Sequence, residues 1–177
     1  MRALTVLKAG AMALACWVGI HSAHAADKGQ LLVGVGQYDI IPNDNKAVAL
    51  HVQYRFADGW GGGKALGGKF LGVKPLIGGF VNSDEGGMVF AGFALPFQWG
   101  KKGAFEFEPS AAIGAYRRGD STFLGGTAQF HLGLQFSARV TKSVRAGLGV
   151  THVSNAKILH RKNRGTNILM GTLGYEF

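Results

Sequence analysis

Between residues 46 and 56 the chain reads KAVALHVQYRF, and alternate side chains are apolar. Val48, Leu50, Val52, Tyr54 and Phe56 share one face, while Lys46, Ala49, His51, Gln53 and Arg55 are among the rest. Successive side chains of an extended strand point to opposite sides, so this pattern describes a strand with one apolar and one polar face. The pattern recurs at 123–140, where Leu124, Ala128, Phe130, Leu132, Leu134, Phe136, Ala138 and Val140 oppose Thr127, Gln129, His131, Gln135, Ser137 and Arg139. At 104–117, Phe105, Phe107, Ala111, Ile113 and Ala115 oppose Glu106, Glu108 and Ser110. Weaker versions lie at 30–41, 69–81 and 88–99, and two more at 144–155 and 167–177. Helical spacing is poor throughout, and 29 glycines would weaken a helix further.

Turn-forming clusters separate these segments: PNDN at 43–46, NSDEGG at 82–87, GKKG at 100–103, RGDST at 118–122 and TKS at 141–143. Only 57–68, ADGWGGGKALGG, is longer than a tight turn needs. The expectation is an all-β fold of eight antiparallel strands joined as hairpins.

Two architectures share that description. A soluble sandwich or lipocalin-like barrel turns its apolar face inward, whereas a transmembrane barrel turns it outward and packs polar groups inside. The N-terminus bears on the choice. Residues 1–25 read MRALTVLKAGAMALACWVGIHSAHA, with Arg2 and Lys8 before an apolar run and Ala23-His24-Ala25 as a small-residue cleavage site, which is the pattern of a secretory signal peptide. The run falls short of the about 20 clean apolar residues of a membrane helix. A lipoprotein reading through Ala13-Leu14-Ala15-Cys16 misplaces the apolar residue. Cys16 is the only cysteine, so the exported domain, 26–177, is expected to have neither disulfides nor thiolate metal sites.

The formal net charge is +9, and only Arg2 and Lys8 of the basic residues fall in the leader. A basic balance suits nucleic acid, anionic lipid or a merely solvated surface. Export and the lack of any RNA-binding or helix-turn-helix pattern set nucleic acid aside. With 47% hydrophobic, 11% aromatic and 16% charged residues, the chain has no 20-residue apolar span after the leader, so a membrane helix is excluded and a membrane barrel is not. Three features favour the barrel. The polar faces are rich in Glu, Arg, Gln, His and Gly. Aromatics gather near strand ends, as at Tyr54 and Phe56, Phe97 and Trp99, Tyr175 and Phe177. Finally, the terminal Phe177, with Tyr175 and Leu173 on its face, resembles the C-terminal signal read by the barrel-assembly machinery.

In the seventh segment, Val144, Ala146, Leu148 and Val150 form the lipid-facing set, and His152 and Ser154 continue its parity. In the eighth, Phe177, Tyr175, Leu173, Gly171 and Leu169 share a parity that Asn167 extends. If the first strand starts in the periplasm, these three polar groups stand on the outer wall at the level of the outer leaflet. Polar groups facing lipid cost free energy and call for a reason. Position alone also suits ordinary residues lying above the hydrocarbon. The residue types point to chemistry: histidine takes a serine proton near neutral pH, and a third group must hold the imidazole's tautomer and orientation. Asn167 is the candidate orienter, with Thr166 and Asn163 behind it. The Asn155 amide and the backbone N–H groups after Ser154 are candidate oxyanion donors. His51 and His131 fall on the polar face and are expected to be interior hydrogen-bonding residues rather than ligands.

At His152-Val153-Ser154-Asn155-Ala156 and the terminal Phe177, and in length and strand count, the chain resembles the outer-membrane lipid A deacylases of the PagL family. The resemblance implies an eight-stranded up-and-down transmembrane β-barrel in the bacterial outer membrane. It implies cofactor-free hydrolysis of the ester-linked 3-hydroxyacyl chain at position 3 of lipid A, with Ser154 as nucleophile and His152 as general base. Members place a glutamate in the final strand as the third member, whereas 163–168 here read NRGTNI and contain no carboxylate. Glu176 is at the opposite end of its strand. The loop at 156–166 carries Lys157, His160, Arg161, Lys162 and Arg164; beside phosphorylated lipid A, Lys157, Arg161, Lys162 and Arg164 would bind phosphates, the alternative being a solvated basic loop.

Outer-membrane phospholipase A resembles the site too, with an H-x-S-N-G setting and an asparagine orienter, but its barrel has twelve strands and uses calcium at a dimer interface. This chain is too short for twelve spanning strands, position 156 is Ala, and no acidic cluster suggests calcium. Phospholipase action is the second enzymatic reading, and a homodimer remains open. A non-enzymatic structural, adhesive or protective barrel with an incidental His–Ser pair is the third.

Overall fold

The computed structural model describes residues 28–41, 43–158 and 163–177; the expected leader, 1–25, lies outside them. Every element among the described residues is a strand: β1 (Gln30–Tyr38), β2 (Val48–Arg55), β3 (Gly63–Ala65), β4 (Gly68–Phe70), β5 (Lys74–Asn82), β6 (Gly87–Ala94), β7 (Phe97–Trp99), β8 (Phe105–Arg117), β9 (Ala128–Arg139), β10 (Val144–Ser154) and β11 (Thr166–Glu176). β6 and β7 are one stave. Both pair with β8 in a single register, Ala94 opposite Ser110 and Phe97 opposite Phe107. The break falls at Leu95-Pro96, where proline has no N–H to give to the ladder. The eight staves are therefore β1, β2, β5, β6 with β7, β8, β9, β10 and β11. Each pairs antiparallel with its neighbour, and β1 closes on β11.

β3 and β4 complete the eleven strands, and sequence periodicity did not resolve them. They form a hairpin inside the long 57–73 connection, and β4 continues onto β7 through Lys69 opposite Gln98 and Phe70 opposite Phe97. Its two-residue loop has Leu66 at φ 50° and Gly67 at φ 74°. Two left-handed positions in a row normally advertise themselves as Asn-Gly or Asp-Gly; a leucine at the first hides the hairpin. Leu124 also departs from expectation. β9 starts only at Ala128, and Leu124 is buried in the preceding loop rather than facing lipid.

The two faces of the wall are inverted relative to a water-soluble domain. Val35, Leu50, Val89, Ile113, Leu132, Leu134, Phe136, Leu148 and Leu173 are exposed on the outside, while Arg55, Arg145, Lys74, Glu106, Glu108 and Gln129 are fully buried. An apolar band that wide would aggregate in water and is at home in hydrocarbon. Among the described residues no helix is long and apolar enough to cross a membrane; the chain crosses with strands. Inward-facing glycines let neighbouring staves bend close to one another. A methyl added at Gly36 would lie 1.8 Å from the Leu169 carbonyl oxygen, and one at Gly114 would lie 2.0 Å from that of Val89.

What fills the lumen differs by level. At the end where β1 begins and β11 ends, Arg55 donates to Glu106 at 3.1 Å and to Glu108, and Arg145 Nε donates to Glu176 at 2.7 Å. Gln53 and Gln98 donate to the same glutamates, at 3.1 Å and 2.6 Å. At mid-height His51 and His131 stack against Phe90, with His131 4.0 Å from the Phe90 ring centre. Both histidines are interior, as expected, but ring stacking rather than hydrogen bonding holds them; their nitrogens have no hydrogen-bond partner among the described residues. Toward the far end hydroxyl groups fill the lumen. Tyr38 and Tyr116 share a hydroxyl contact of 3.0 Å, and Tyr116 donates to the Thr122 carbonyl at 2.7 Å. Buried polar groups arranged this way make a plug rather than a pore.

Candidate active site

β10 and β11 run side by side to the end of the barrel where β1 ends and β11 begins, and their last cross-strand pairs put His152 directly opposite Asn167. Ser154 follows on the same outward face as His152, two residues further. All three side chains are half-buried. Below them on the outer wall lie the exposed Val150, Leu169, Leu132 and Leu134. The array therefore sits on the lipid-facing surface at the rim of the apolar band.

The contacts form a chain. His152 Nε2 is 3.1 Å from Ser154 Oγ, and His152 Nδ1 is 2.9 Å from Asn167 Oδ1. An amide oxygen only accepts, so Nδ1 carries the proton and Nε2 presents its lone pair to the serine hydroxyl. That is the tautomer a general base needs. Asn167 Nδ2 in turn donates to the Ile41 carbonyl at 3.2 Å.

The other candidates divide. Asn155 is fully buried, its Nδ2 donating to the Leu124 carbonyl at 3.1 Å and its Oδ1 accepting the Lys157 N–H at 2.9 Å. One N–H of its side-chain amide is thus taken by the Leu124 carbonyl, and its oxygen holds the turn that follows β10. Ala156 and Lys157 then adopt φ 53° and 59°, left-handed positions that non-glycine residues visit seldom. Asn163 accepts the Gly165 N–H at 2.7 Å, and Thr166 faces inward to donate to Asp39 at 3.1 Å, so neither orients His152. Glu176 pairs with Arg139 and Arg145 at the opposite end of the barrel. Of the basic cluster, Lys157 is exposed. Arg164 is paired with Asp39 at 2.7 Å and with Asp44. Arg161 and Lys162, with His160, lie outside the described residues. No group of three or more His, Cys, Asp or Glu side chains that could hold a metal occurs among the described residues.

Two contributors escaped sequence reasoning. Gly165, at φ 71°, lies against the imidazole: a methyl there would come 2.6 Å from His152 Cε1 and 3.1 Å from Nε2. Only glycine leaves the ring its place, and the Arg-Gly-Thr run at 164–166 was the available signal. The other is Asp39, a fully buried carboxylate on the β1–β2 loop that accepts from Arg164, Thr166 and the Asn45 N–H. Nothing near it in sequence advertises a site.

The described geometry has counterparts. The family profile for lipid A 3-O-deacylase (PagL) matches residues 46–176. Among solved structures, "Crystal structure of the outer membrane enzyme PagL" aligns with a TM-score of 0.66 at 12% identity, covering 84% of this chain and 99% of that one. A structure described as "De novo design of transmembrane beta-barrels" aligns with a TM-score of 0.55 at 13% identity, covering 88% of this chain and 100% of its own. At such identities the alignments speak for the fold alone. No curated protein sequence matches the chain.

Proposed function

The chain belongs to the lipid A 3-O-deacylase (PagL) family, and from that premise we propose that His152, Ser154 and Asn167 form a serine esterase site that works from the lipid side of the barrel wall. The protein is a bacterial outer-membrane ester hydrolase acting on lipid A. The observation that carries the mechanism is the unbroken contact chain Ser154 Oγ–His152–Asn167 on the outward face.

Ser154 Oγ attacks the carbonyl carbon of the 3-hydroxyacyl ester at position 3, and its proton passes to His152 Nε2. The carbonyl electron pair moves onto oxygen, giving a tetrahedral oxyanion. The Asn155 amide, which gives one N–H to the Leu124 carbonyl and has a second to offer, and the backbone N–H groups after Ser154 are the proposed donors to it. Collapse expels the sugar 3-oxygen, which takes the proton from the imidazolium and leaves an acyl-serine. Water, deprotonated by His152, then releases the 3-hydroxy fatty acid and restores Ser154. Asn167 keeps Nδ1 protonated in both halves and lends the imidazolium a dipole rather than a charge. The reacting ester is proposed to lie in the external leaflet, with the fatty chain alongside the exposed Val150 and Leu169; the position of the array at the rim of the apolar band supports this reading. Lys157, with Arg161 and Lys162, is proposed to meet the phosphates of lipid A.

Phe177 is proposed as the residue read by the barrel-assembly machinery, and 1–25 as a leader removed on export. The test is mass spectrometry of lipid A from cells expressing wild type or Ser154→Ala. The reading expects loss of one 3-hydroxyacyl chain with wild type and intact lipid A with the variant; equal deacylation by both would refute it. Release of fatty acid from glycerophospholipid instead would favour the phospholipase reading.

A further inference from the structure

We infer that the β1–β2 loop is part of the catalytic apparatus: the Ile41 carbonyl fixes which end of the Asn167 amide faces His152, and Asp39 is the positioning residue that holds that loop in place. The inference rests on the proposed roles of His152 and Asn167.

The need follows from chemistry. A carboxylate offers an acceptor whichever way it turns. An asparagine offers oxygen in one orientation and NH2 in the other, and the two are nearly the same size. With the amide reversed, Nδ2 would donate to His152 Nδ1, and the ring proton would move to Nε2. That nitrogen could then no longer take the Ser154 proton, which is the wrong-tautomer failure seen when an asparagine replaces a triad aspartate without such control. Here a chain acceptor removes the ambiguity. The Ile41 carbonyl, 3.2 Å from Nδ2, can be satisfied only by the NH2 end, so Oδ1 is left for Nδ1 at 2.9 Å. The same strand edge is stitched by Ile40 N–H to the Asn167 carbonyl at 3.2 Å.

The Ile41 carbonyl is on a loop and needs an anchor. Asp39 stands two residues away, fully buried, at φ 57°. Its carboxylate accepts from Thr166 Oγ1 at 3.1 Å, Arg164 Nη2 at 2.7 Å and Asn45 N–H at 3.1 Å. Thr166 and Arg164 immediately precede Asn167, so one carboxylate ties both ends of the loop to the start of β11. Three donors on a buried carboxylate fix it far more firmly than a surface ion pair would. The chain thus keeps an acid near the site, one step removed: it orients the orienter.

The experiment uses the full chain with 15N-labelled histidine in detergent, as wild type, Asp39→Ala and the milder Asp39→Asn, each checked for barrel formation by heat-modifiable migration. Two quantities are read: the His152 ring tautomer from 15N shifts, and kcat and KM on lipid A. Wild type is expected to hold the Nδ1–H tautomer. Both Asp39 variants are expected to admit the Nε2–H form and to lose kcat by about 10–100-fold with KM nearly unchanged. In an Asn167→Asp background, where either oxygen accepts from Nδ1, Asp39→Ala should cost less than about 3-fold, because the two sites are coupled. Equal losses in both backgrounds would make Asp39 a merely structural residue and overturn the inference; so would Nε2–H in wild type, or an unchanged tautomer in both variants. If Asp39→Ala fails to form a barrel, Asp39→Asn decides. If wild type leaves lipid A intact, the proposed function falls, and the tautomer in the resting protein still decides the brace.

Discussion

The two ends of this barrel solve opposite problems with the same kinds of residue. At the end where β1 begins and β11 ends, the interior is charged: Arg55 with Glu106 and Glu108, Arg145 and Arg139 with Glu176. These groups are directed inward and paired with one another. At the other end the interior is largely neutral hydroxyls and amides, and a histidine and a serine are turned outward instead. β11 shows the contrast within one strand. Glu176 has inward parity and is spent on structure; Asn167 has outward parity and orients an imidazole. Charge at the first end is a packing device, and polarity on the lipid face is, in the proposed function, a reactive one.

The largest expected effect sharpens the catalytic side. Ser154→Ala should lower deacylation by at least about 10³-fold while shifting unfolding free energy by less than about 1 kcal/mol. Urea unfolding in vesicles together with lipid A turnover checks both halves. Arg55→Met should do the reverse, leaving two buried glutamates without their partner at a cost of about 3–5 kcal/mol. The turnover per folded molecule should not change, and a loss of turnover at constant folding would break the separation between the ends. Gly165→Ala comes next. A methyl 2.6 Å from the His152 ring must displace it, and a misplacement of about 1 Å costs about 100-fold in rate, measured as kcat on lipid A. The smallest effect is expected at the neutral plug, where Tyr116→Phe removes hydroxyl contacts to Tyr38 and the Thr122 carbonyl, for about 1 kcal/mol by urea unfolding and no change in turnover.

The staves were legible because each carries a period-2 pattern long enough to be counted, and because the inverted faces gave buried positions to Glu106, Glu108 and Arg55 that no soluble core would accept. Parity put His152, Ser154 and Asn167 on one outward face, and residue type marked them as a candidate array. What escaped lies outside periodicity. The β3–β4 hairpin turns on a left-handed leucine, Leu66. Asn155 has the residue type of an oxyanion donor, and only the position of the Leu124 carbonyl shows where one of its N–H groups goes. Arg164 reads as part of a basic loop until Asp39 and Asp44, more than a hundred residues earlier, are folded against it. Asp39 makes contacts with residues more than a hundred positions away, and Gly165 meets His152 across the β10–β11 hairpin through a turn conformation that periodicity does not reveal.

The central claim, a proton-sharing His–Ser pair facing lipid, is tested most directly by covalent labelling. A fluorophosphonate bearing an alkyl chain, added to the full protein in outer-membrane vesicles, should modify Ser154, as read by peptide mass spectrometry, and His152→Ala should abolish the label while the barrel stays folded. Deacylation that continues with Ser154 unmodified, or labelling that survives loss of His152, would contradict the account.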